Sequence, residues 1–228
     1  MSTAPKRFYK EVSLLIQDGG FAIALDGRVA KTAGRNPLVA PTKLAEALRE
    51  EWDAQEETID LESMPLTRLQ GFVLDAGEDG RTQFADTIVQ YAGSDLLCYR
   101  AEDADLAQRQ EAMFGPFLER AKGEGLNFAI TEGLIPVAQP AETTGTLAAR
   151  LADMPTAELF SRKLLTEILG SAVLALYADQ DVENAFAAAR LDEAYQAEKW
   201  GVDGEAKENE KALRRDYDEV LRFFSLSS

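Results

Sequence analysis

The sequence contains no histidine and a single cysteine among its 228 residues. The lack of histidine excludes Ser-His-Asp triads, Cys-His dyads and imidazole metal ligands together. Cys98 has no second cysteine with which to form an internal disulfide, so the sequence is compatible with a reducing compartment. Its neighbours in Leu96-Leu97-Cys98-Tyr99 are mostly apolar, which predicts a buried, inert thiol rather than a nucleophile.

Basic residues are also scarce. The chain has 40 Asp and Glu against 24 Lys and Arg, which gives a formal charge of −16 at pH 7. Nucleic acids and anionic membranes bind basic surfaces, so this balance excludes both as expected partners. A basic or apolar protein partner stays open, and the acidity favours solubility and repulsion between copies.

Long apolar segments are absent, because no run of about 18 apolar residues occurs and therefore no membrane insertion is expected. The N-terminal segment Met1–Phe8 is short and polar, and it has neither the apolar core of a signal peptide nor the pattern of an Arg-rich presequence. We therefore expect a cytoplasmic protein.

Motifs for chemistry are missing as well. The glycines near the N-terminus, Gly19-Gly20 and Gly34, do not form a phosphate-binding loop. The carboxylates, such as Asp60 and Glu62, show no ligand spacing that would separate a metal or catalytic pair from surface acids. We predict no catalytic residues, no metal, no cofactor and no small-molecule substrate. A small acidic, metal-assisted enzyme and a general scaffold or adaptor protein remain as alternatives.

The pattern of apolar residues predicts an α+β fold. Strand-forming segments around 8–17, 21–25, 28–31 and 38–40 alternate with turns, two of them containing Asp-Gly, which predicts a small antiparallel meander. Thr42 is predicted as the N-cap of a first helix, in which Leu44, Leu48 and Trp52 face the sheet. Gly77–Gly80 is a polar break. It divides a small N-terminal α/β domain, residues 1–80, from a C-terminal helical bundle domain, residues 81–228.

The C-terminal domain is predicted to be helical except for one extended segment. Helices are expected around Phe84–Tyr91, Leu106–Ala121 and Leu147–Leu151, and over Thr156–Tyr177, Asp181–Trp200 and Glu205–Phe224. Between them, Leu126–Gln139 alternates and then contains Gly and Pro, which predicts extended chain.

The segment Leu191–Gly201 is unusual for an amphipathic helix. Glu193, Gln196 and Trp200 lie at i, i+3 and i+7 on one side, where a core-facing helix would carry Leu or Ile. Tyr195 and Glu198 are neighbours on the adjoining side. Aromatic and acidic side chains together suggest a surface that holds a partner. The alternative is a solvated last turn with Trp200 buried in the core.

Several strings, taken in chain order, resemble those of one family: the assembly chaperones for the alpha subunit of the F-type ATP synthase catalytic head. The Tyr-Ala-Gly-x-Asp-Leu-Leu-Cys-Tyr-Arg and Trp-Gly strings are the specific ones. The full set is Arg7-Phe-Tyr-Lys-Glu-Val12, Gly20-Phe-Ala-Ile-Ala-Leu-Asp-Gly-Arg28, Asn36-Pro-Leu-Val39, Glu51-Trp-Asp-Ala-Gln55, Met64-Pro-Leu-Thr-Arg-Leu69, Tyr91-Ala-Gly-Ser-Asp-Leu-Leu-Cys-Tyr-Arg100, Glu132-Gly133, Gln139-Pro140 and Leu191–Gly201.

The resemblance implies a function that the residues alone do not supply. It implies a non-enzymatic chaperone that binds the unassembled alpha subunit, shields its apolar interface from aggregation and releases it to beta subunits. It also implies that two acids of a C-terminal helix, matched here to Glu193 and Glu198, matter for this function. With their neighbours Tyr195, Gln196 and Trp200 they form the predicted partner-binding site. A bacterial cytoplasmic location is implied, or the mitochondrial matrix for a processed eukaryotic form.

Overall fold

The structure is a computed structural model and describes residues 5–133, 135–201 and 204–228. The N-terminal part contains four strands, a first helix, a short 3-10 helix and a long second helix. Their bounds are β1 Val12–Gln17, β2 Gly20–Leu25, β3 Arg28–Val29, β4 Val39–Ala40, α1 Thr42–Asp53, the 3-10 helix Leu61–Ser63 and α2 Pro65–Ala92.

The sheet is antiparallel, as predicted, but β3 and β4 both pair with β2 instead of continuing the meander one after the other. β1 pairs with β2, while β3 pairs with the end of β2 and β4 pairs with its beginning. Gly20 makes this approach of β4 feasible. Its φ is +135°, and a Cβ there would lie 2.2 Å from the carbonyl oxygen of Ala40. A residue with a side chain would therefore separate β4 from β2.

The tight turns follow the Asp-Gly prediction. Asp26 and Gly27 both have positive φ, at 47° and 77°, as a two-residue hairpin turn between β2 and β3 requires. The Asp26 carboxylate then accepts hydrogen bonds from the backbone N–H groups of Lys10 and Glu11, both at 3.0 Å. The turn thus also fixes the chain that enters β1.

α1 packs on the sheet through the residues that the periodicity selected. Leu44, Leu48 and Trp52 are buried, and α1 contacts both β1 and β2. The ring of Tyr9 lies edge-on to Trp52 at 5.8 Å, and its hydroxyl donates to the Trp52 carbonyl oxygen at 2.7 Å. The predicted N-cap was wrong by one residue. Pro41 occupies the cap position, and Thr42 is the first helical residue and makes no capping bond.

Contacts divide the chain into two compact units. The first contains the residues up to Gly80 together with Thr156–Glu158 and Arg222–Ser228, and the second contains Arg81–Pro155 and Leu159–Leu221. α2 continues through the predicted polar break, but Gly77 interrupts it with a non-helical φ of 59°. The division into an N-terminal domain, residues 1–80, and a C-terminal domain, residues 81–228, remains a prediction.

The second unit is mainly helical. Its elements are the 3-10 helix Leu96–Cys98, β5 Tyr99–Arg100, α3 Ala104–Gly123, β6 Thr131–Glu132, α4 Ala141–Ala152, α5 Thr156–Leu169, α6 Ala172–Tyr177, α7 Val182–Ala189, α8 Leu191–Trp200 and α9 Gly204–Ser227. The first three residues of α5 and the last six of α9 belong to the first unit.

Two predicted helices are each broken into two. Gly170 has a left-handed φ of 66° and ends α5, so Thr156–Tyr177 is not continuous. Arg190 has φ −107° and ψ 8°, which separates α7 from α8 within Asp181–Trp200. Within the predicted extended segment Leu126–Gln139, of which the structure describes all but residue 134, β6 pairs in parallel with β5. Apart from this two-residue pair, the second unit matches the expected helical bundle, and the α+β class is confirmed.

A buried carboxylate joins two parts of the second unit. Asp95 is fully buried and caps the 3-10 helix Leu96–Cys98 by accepting from the N–H of Leu97 at 3.0 Å. The same carboxylate accepts from the Ser171 hydroxyl at 2.7 Å and from the Val173 N–H at 3.0 Å, at the start of α6. Burial raises the pKa of Asp95 to about 6, although these donors lower it. Nearby Cys98 is also buried, as predicted, and burial raises the pKa of its thiol to about 12.

We expect Trp52→Ala to lower the free energy of unfolding by about 3–5 kcal/mol, because it removes a large side chain from between α1 and the sheet. The buried indole N–H has no hydrogen-bond partner in the described part of the chain. Trp52→Phe should therefore cost much less, since it removes that unpaired donor while keeping most of the packing. Denaturant unfolding of both variants measures the difference; equal losses would show that aromatic packing is not what Trp52 supplies.

We expect Asp95 to make stability depend on pH. Its pKa is about 6 in the folded chain and near 4 when unfolded, so the folded state binds the proton more tightly. The contribution of Asp95 to the free energy of unfolding is therefore greatest below about pH 4. It falls by at most about 3 kcal/mol as the pH rises to about 6, and it is constant above that pH. Asp95→Asn cannot ionise. The difference in unfolding free energy between parent and variant should follow this slope, and parallel curves between pH 4 and 7 would contradict it.

Candidate functional site

The candidate site is α8, which packs against α3 and α7 in the second unit. The helix begins directly after the break at Arg190 and ends at Gly201, whose φ is 81°. The Gly201 N–H donates to the Ala197 carbonyl oxygen at 2.9 Å and closes the last turn. The site is therefore a helix of ten residues with a defined beginning and end.

Tyr195 holds the inner side of α8 on α3. Its ring is in the hydrophobic core, with 3% of the residue exposed. Its hydroxyl donates to Oδ1 of Asp103 at 2.8 Å. Asp103 is the N-cap of α3, and the same oxygen accepts from the N–H groups of Asp105 and Leu106. One carboxylate thus caps α3 and anchors α8.

Lys199, one turn after Tyr195, strengthens the same anchor. Its ammonium lies 2.9 Å from Oδ2 of Asp103 and 4.2 Å from the centre of the Tyr195 ring. The hydrogen bonds from Lys199 and Tyr195, with those from the backbone, hold the pKa of Asp103 well below its usual range. Asp103 therefore stays ionised through the mildly acidic range, and the anchor does not titrate there.

Glu198 belongs to an ion-pair chain that also reaches α3. Its Oε2 accepts from Arg109 at 2.8 Å, and Arg109 lies 3.3 Å from Asp105 as well. The Arg109 guanidinium is 5.0 Å from the centre of the Tyr195 ring. More than half of the Glu198 side chain remains exposed. The carboxylate is accessible to a partner, although it already has a cation of its own.

The outer side of α8 carries Glu193, Gln196 and Trp200, and all three are exposed. Trp200 is 82% exposed, so the alternative of a Trp200 buried in the core is wrong. Glu193 pairs with Arg190 at 2.8 Å, one turn earlier, and more than half of its side chain is exposed. A large aromatic ring at the end of the helix is thus presented to solvent beside acids and an amide.

The structure separates the five predicted residues into two groups. Glu193, Gln196, Trp200 and, on the adjoining side, Glu198 are accessible, whereas the Tyr195 ring is not. Tyr195 therefore orients the helix instead of offering contact surface. Sequence reasoning missed Asp103 and Arg109, which lie about 90 residues away in the chain. The only local signal was the N-cap pattern of Asp103 before Leu106.

Other candidate sites are weak. In the ranges that the structure describes, no three or more Cys, Asp or Glu side chains are grouped to hold a metal ion. A shallow cleft of about 540 Å³ lies beside β5 and β6 and is lined by Arg100, Ala101, Glu102, Ala104, Ala107, Ile130, Thr131 and Glu132. Among the described helices, none combines the length and the apolar character needed to cross a membrane.

A sequence profile of the family described as ATP12 chaperone protein matches residues 6–122. Two structures of Atp12 from Paracoccus denitrificans, one of them of a point mutant, are 33% identical to this chain with a TM-score of 0.92. They cover 98% of this chain, which covers 98% and 99% of theirs. The chain belongs to the ATP12 chaperone family. A candidate chaperone from Agrobacterium tumefaciens is 38% identical, with a TM-score of 0.86, and the match covers 97% of this chain and 85% of that one.

Membership in the ATP12 family confirms the resemblance found in the sequence strings. The family profile ends at residue 122, whereas α8 lies beyond it. The structural matches extend over nearly the whole chain and therefore include the helical unit. The role of α8 as a binding site stays a prediction.

We expect Asp103→Ala to lower the melting temperature and loosen α8, because it removes the α3 cap and the acceptor for Tyr195 and Lys199 together. Asp105→Ala is the matched control. It removes a neighbouring exposed acid whose side chain, within the described part of the chain, pairs with Arg109 alone. Thermal unfolding, with amide exchange along α8, measures both variants. Equal behaviour of the two would show that Asp103 does not anchor the helix.

Proposed function

We propose that this chain is a chaperone for assembly of the F-type ATP synthase head, and that its client is the unassembled alpha subunit. The observation that carries the proposal is the likeness to Atp12 structures over 98% of the chain. In the proposed function, the chaperone covers the apolar surface of alpha that later faces beta, and it is displaced by beta. It performs no chemistry and needs no metal or cofactor.

The residues on the exposed side of α8 support a role for this helix in binding the client. Tryptophan is among the residues that most often dominate a protein interface, and Trp200 is accessible in the free chain. Glu193 and Glu198 lie beside it and add negative charge around the aromatic anchor. Such a rim favours encounter with a basic surface more than it adds affinity.

The ion pairs of these two acids favour release. Glu193 is paired with Arg190 and Glu198 with Arg109 before any client binds. A basic group of the client must compete with these cations, so the net gain from each acid is small. When beta displaces the chaperone, each acid returns to its own arginine and is not left uncompensated. Because each acid adds little to binding, the affinity for the client stays moderate, which suits a chaperone that must transfer its client to another subunit.

The acidic composition supports the same function in a different way. An unassembled subunit exposes an apolar patch that would otherwise aggregate. A carrier with a charge of −16 keeps the complex soluble and keeps copies of itself apart. The relatives from Paracoccus and Agrobacterium are bacterial, which supports a bacterial cytoplasmic location.

Capture of purified subunits tests the proposed client. The chain should bind free alpha subunit and prevent its aggregation, and should bind neither isolated beta nor the assembled head.

We expect Trp200→Ala to fold normally, because the ring is exposed, and to weaken alpha binding by about thirtyfold or more. Glu193→Ala with Glu198→Ala should slow association and reduce its dependence on salt.

The matched control for the acid pair is Glu119→Ala with Glu183→Ala. Glu119 pairs with Lys122 three residues later, as Glu193 pairs with Arg190 three residues earlier. Glu183 pairs with an arginine of another helix, as Glu198 does. Both double variants remove two exposed acids, so net charge changes equally. If the two associate with alpha at the same rate, the acids of α8 act only through overall charge; if the parent does not bind alpha, the proposed function is wrong.

A further inference from the structure

β1 is an edge strand whose outer side has no partner in the described residues. It pairs with β2 along its whole length, from Val12 opposite Leu25 to Gln17 opposite Gly20. No other described strand pairs with it, and no backbone hydrogen bond from another described segment reaches its six residues. The outer side therefore has backbone donors and acceptors available to an added strand.

The register shows which backbone groups these are. In an antiparallel pair, alternate residues direct both N–H and C=O to the partner strand. The Asp26 N–H donates to the Glu11 carbonyl oxygen at 3.0 Å, so residues 11, 13, 15 and 17 face β2. The N–H and C=O groups of Val12, Leu14 and Ile16 therefore point outward. On the far side of β2, Ile23 bonds with Leu38 and Ala30, which fits the same alternation.

Features that usually protect an edge strand are missing from β1. Proteins block such edges with lysine, proline, a bulge or an inward charge. The strand reads Val-Ser-Leu-Leu-Ile-Gln, its register is continuous, and it contains no charged residue and no proline. Leu15 is 41% exposed and Ile16 is 88% exposed. An apolar, unprotected edge of this kind is suited to accept a strand.

We propose that β1 binds an extended apolar segment of the unassembled client by strand addition. The proposal rests on the proposed function and adds a second contact to α8. Backbone hydrogen bonds to Val12, Leu14 and Ile16 give affinity without demanding one sequence, while Leu15 and Ile16 favour apolar side chains. The exposed acids Glu11 and Asp18 lie beyond the two ends of the strand, so a segment flanked by basic residues is favoured.

A second copy of this chain fits the edge less well than a client does. Antiparallel pairing of two copies about Leu14 would place Lys10 opposite Asp18, so local charges permit such a dimer. Each copy carries a charge of −16, however, and this opposes association of two copies. A client with basic flanks gains from the same charge. The test below includes the homodimer as an outcome.

Amide exchange tests the geometry directly. In the free chain, the amides of Val12, Leu14 and Ile16 should exchange faster than those of Ser13, Leu15 and Gln17. After saturation with free alpha subunit, the three outward amides should slow by about tenfold or more, because each gains an acceptor. This alternate pattern is specific to strand addition, since general burial of the strand would not distinguish outward from inward amides.

A pair of variants separates the backbone from the side chain. Ile16→Pro removes the outward N–H, and proline is tolerated on edge strands. Ile16→Thr is the control: it also loses the apolar side chain but keeps the N–H and the strand preference. We expect the proline variant to bind alpha about tenfold more weakly than the threonine variant. Both should melt near the parent temperature, because residue 16 is exposed; if the proline variant unfolds, the exchange pattern decides.

Three results would overturn the proposal. Equal alpha binding by the two folded variants, or unchanged exchange of the outward amides in the complex, would reject strand addition and leave the proposed client intact. Outward amides that are already protected in a dimer, detected by sedimentation of the chain alone at high salt, would assign the edge to a second copy. Failure of the parent chain to bind alpha would reject the client, and this inference with it.

Discussion

The candidate site depends on the carboxylate of Asp103. That group accepts from two backbone N–H groups of α3, from the Tyr195 hydroxyl and from the Lys199 ammonium. A carboxylate with several donors is strongly favoured in its ionised form. Together with the buried Leu191 and Tyr195, it fixes the inner side of α8 and leaves the opposite side of α8 available. The exposure of Trp200 follows from this anchoring: the helix is held by its tyrosine, so its tryptophan is presented to solvent.

Much of the fold could be predicted from local sequence. The Asp26-Gly27 turn and the burial of Trp52 and Cys98 each depend on residues within a few positions, and all three were confirmed. The pairing of β4 with β2 and the parallel pair β5–β6 could not be predicted, because two-residue strands give no periodic signal and their partners are distant in sequence. The break at Arg190 has no glycine or proline to mark it.

The candidate site shows the same limit. Spacing placed Glu193, Gln196 and Trp200 on one side of a helix, which the structure shows to be the exposed side. Spacing could not decide which of Tyr195 and Trp200 enters the core, because both aromatics have suitable neighbours. That choice is made by Asp103, which lies 92 residues before Tyr195. Periodicity within one helix contains no information about such a distant partner.

The first unit combines residues from both ends of the sequence, and this has a consequence for the order in which the protein can fold during its synthesis. The first unit contains the N-terminal sheet and also Arg222–Ser228, in which Phe223 is fully buried. The β1–β2 hairpin has a two-residue turn and can form within microseconds of its synthesis. The core of that unit nevertheless lacks the segment Arg222–Ser228 until the second unit has been synthesised. The N-terminal sheet is thus made before the helical unit, but its core is completed only after that unit, so its apolar residues stay incompletely covered during the synthesis in between.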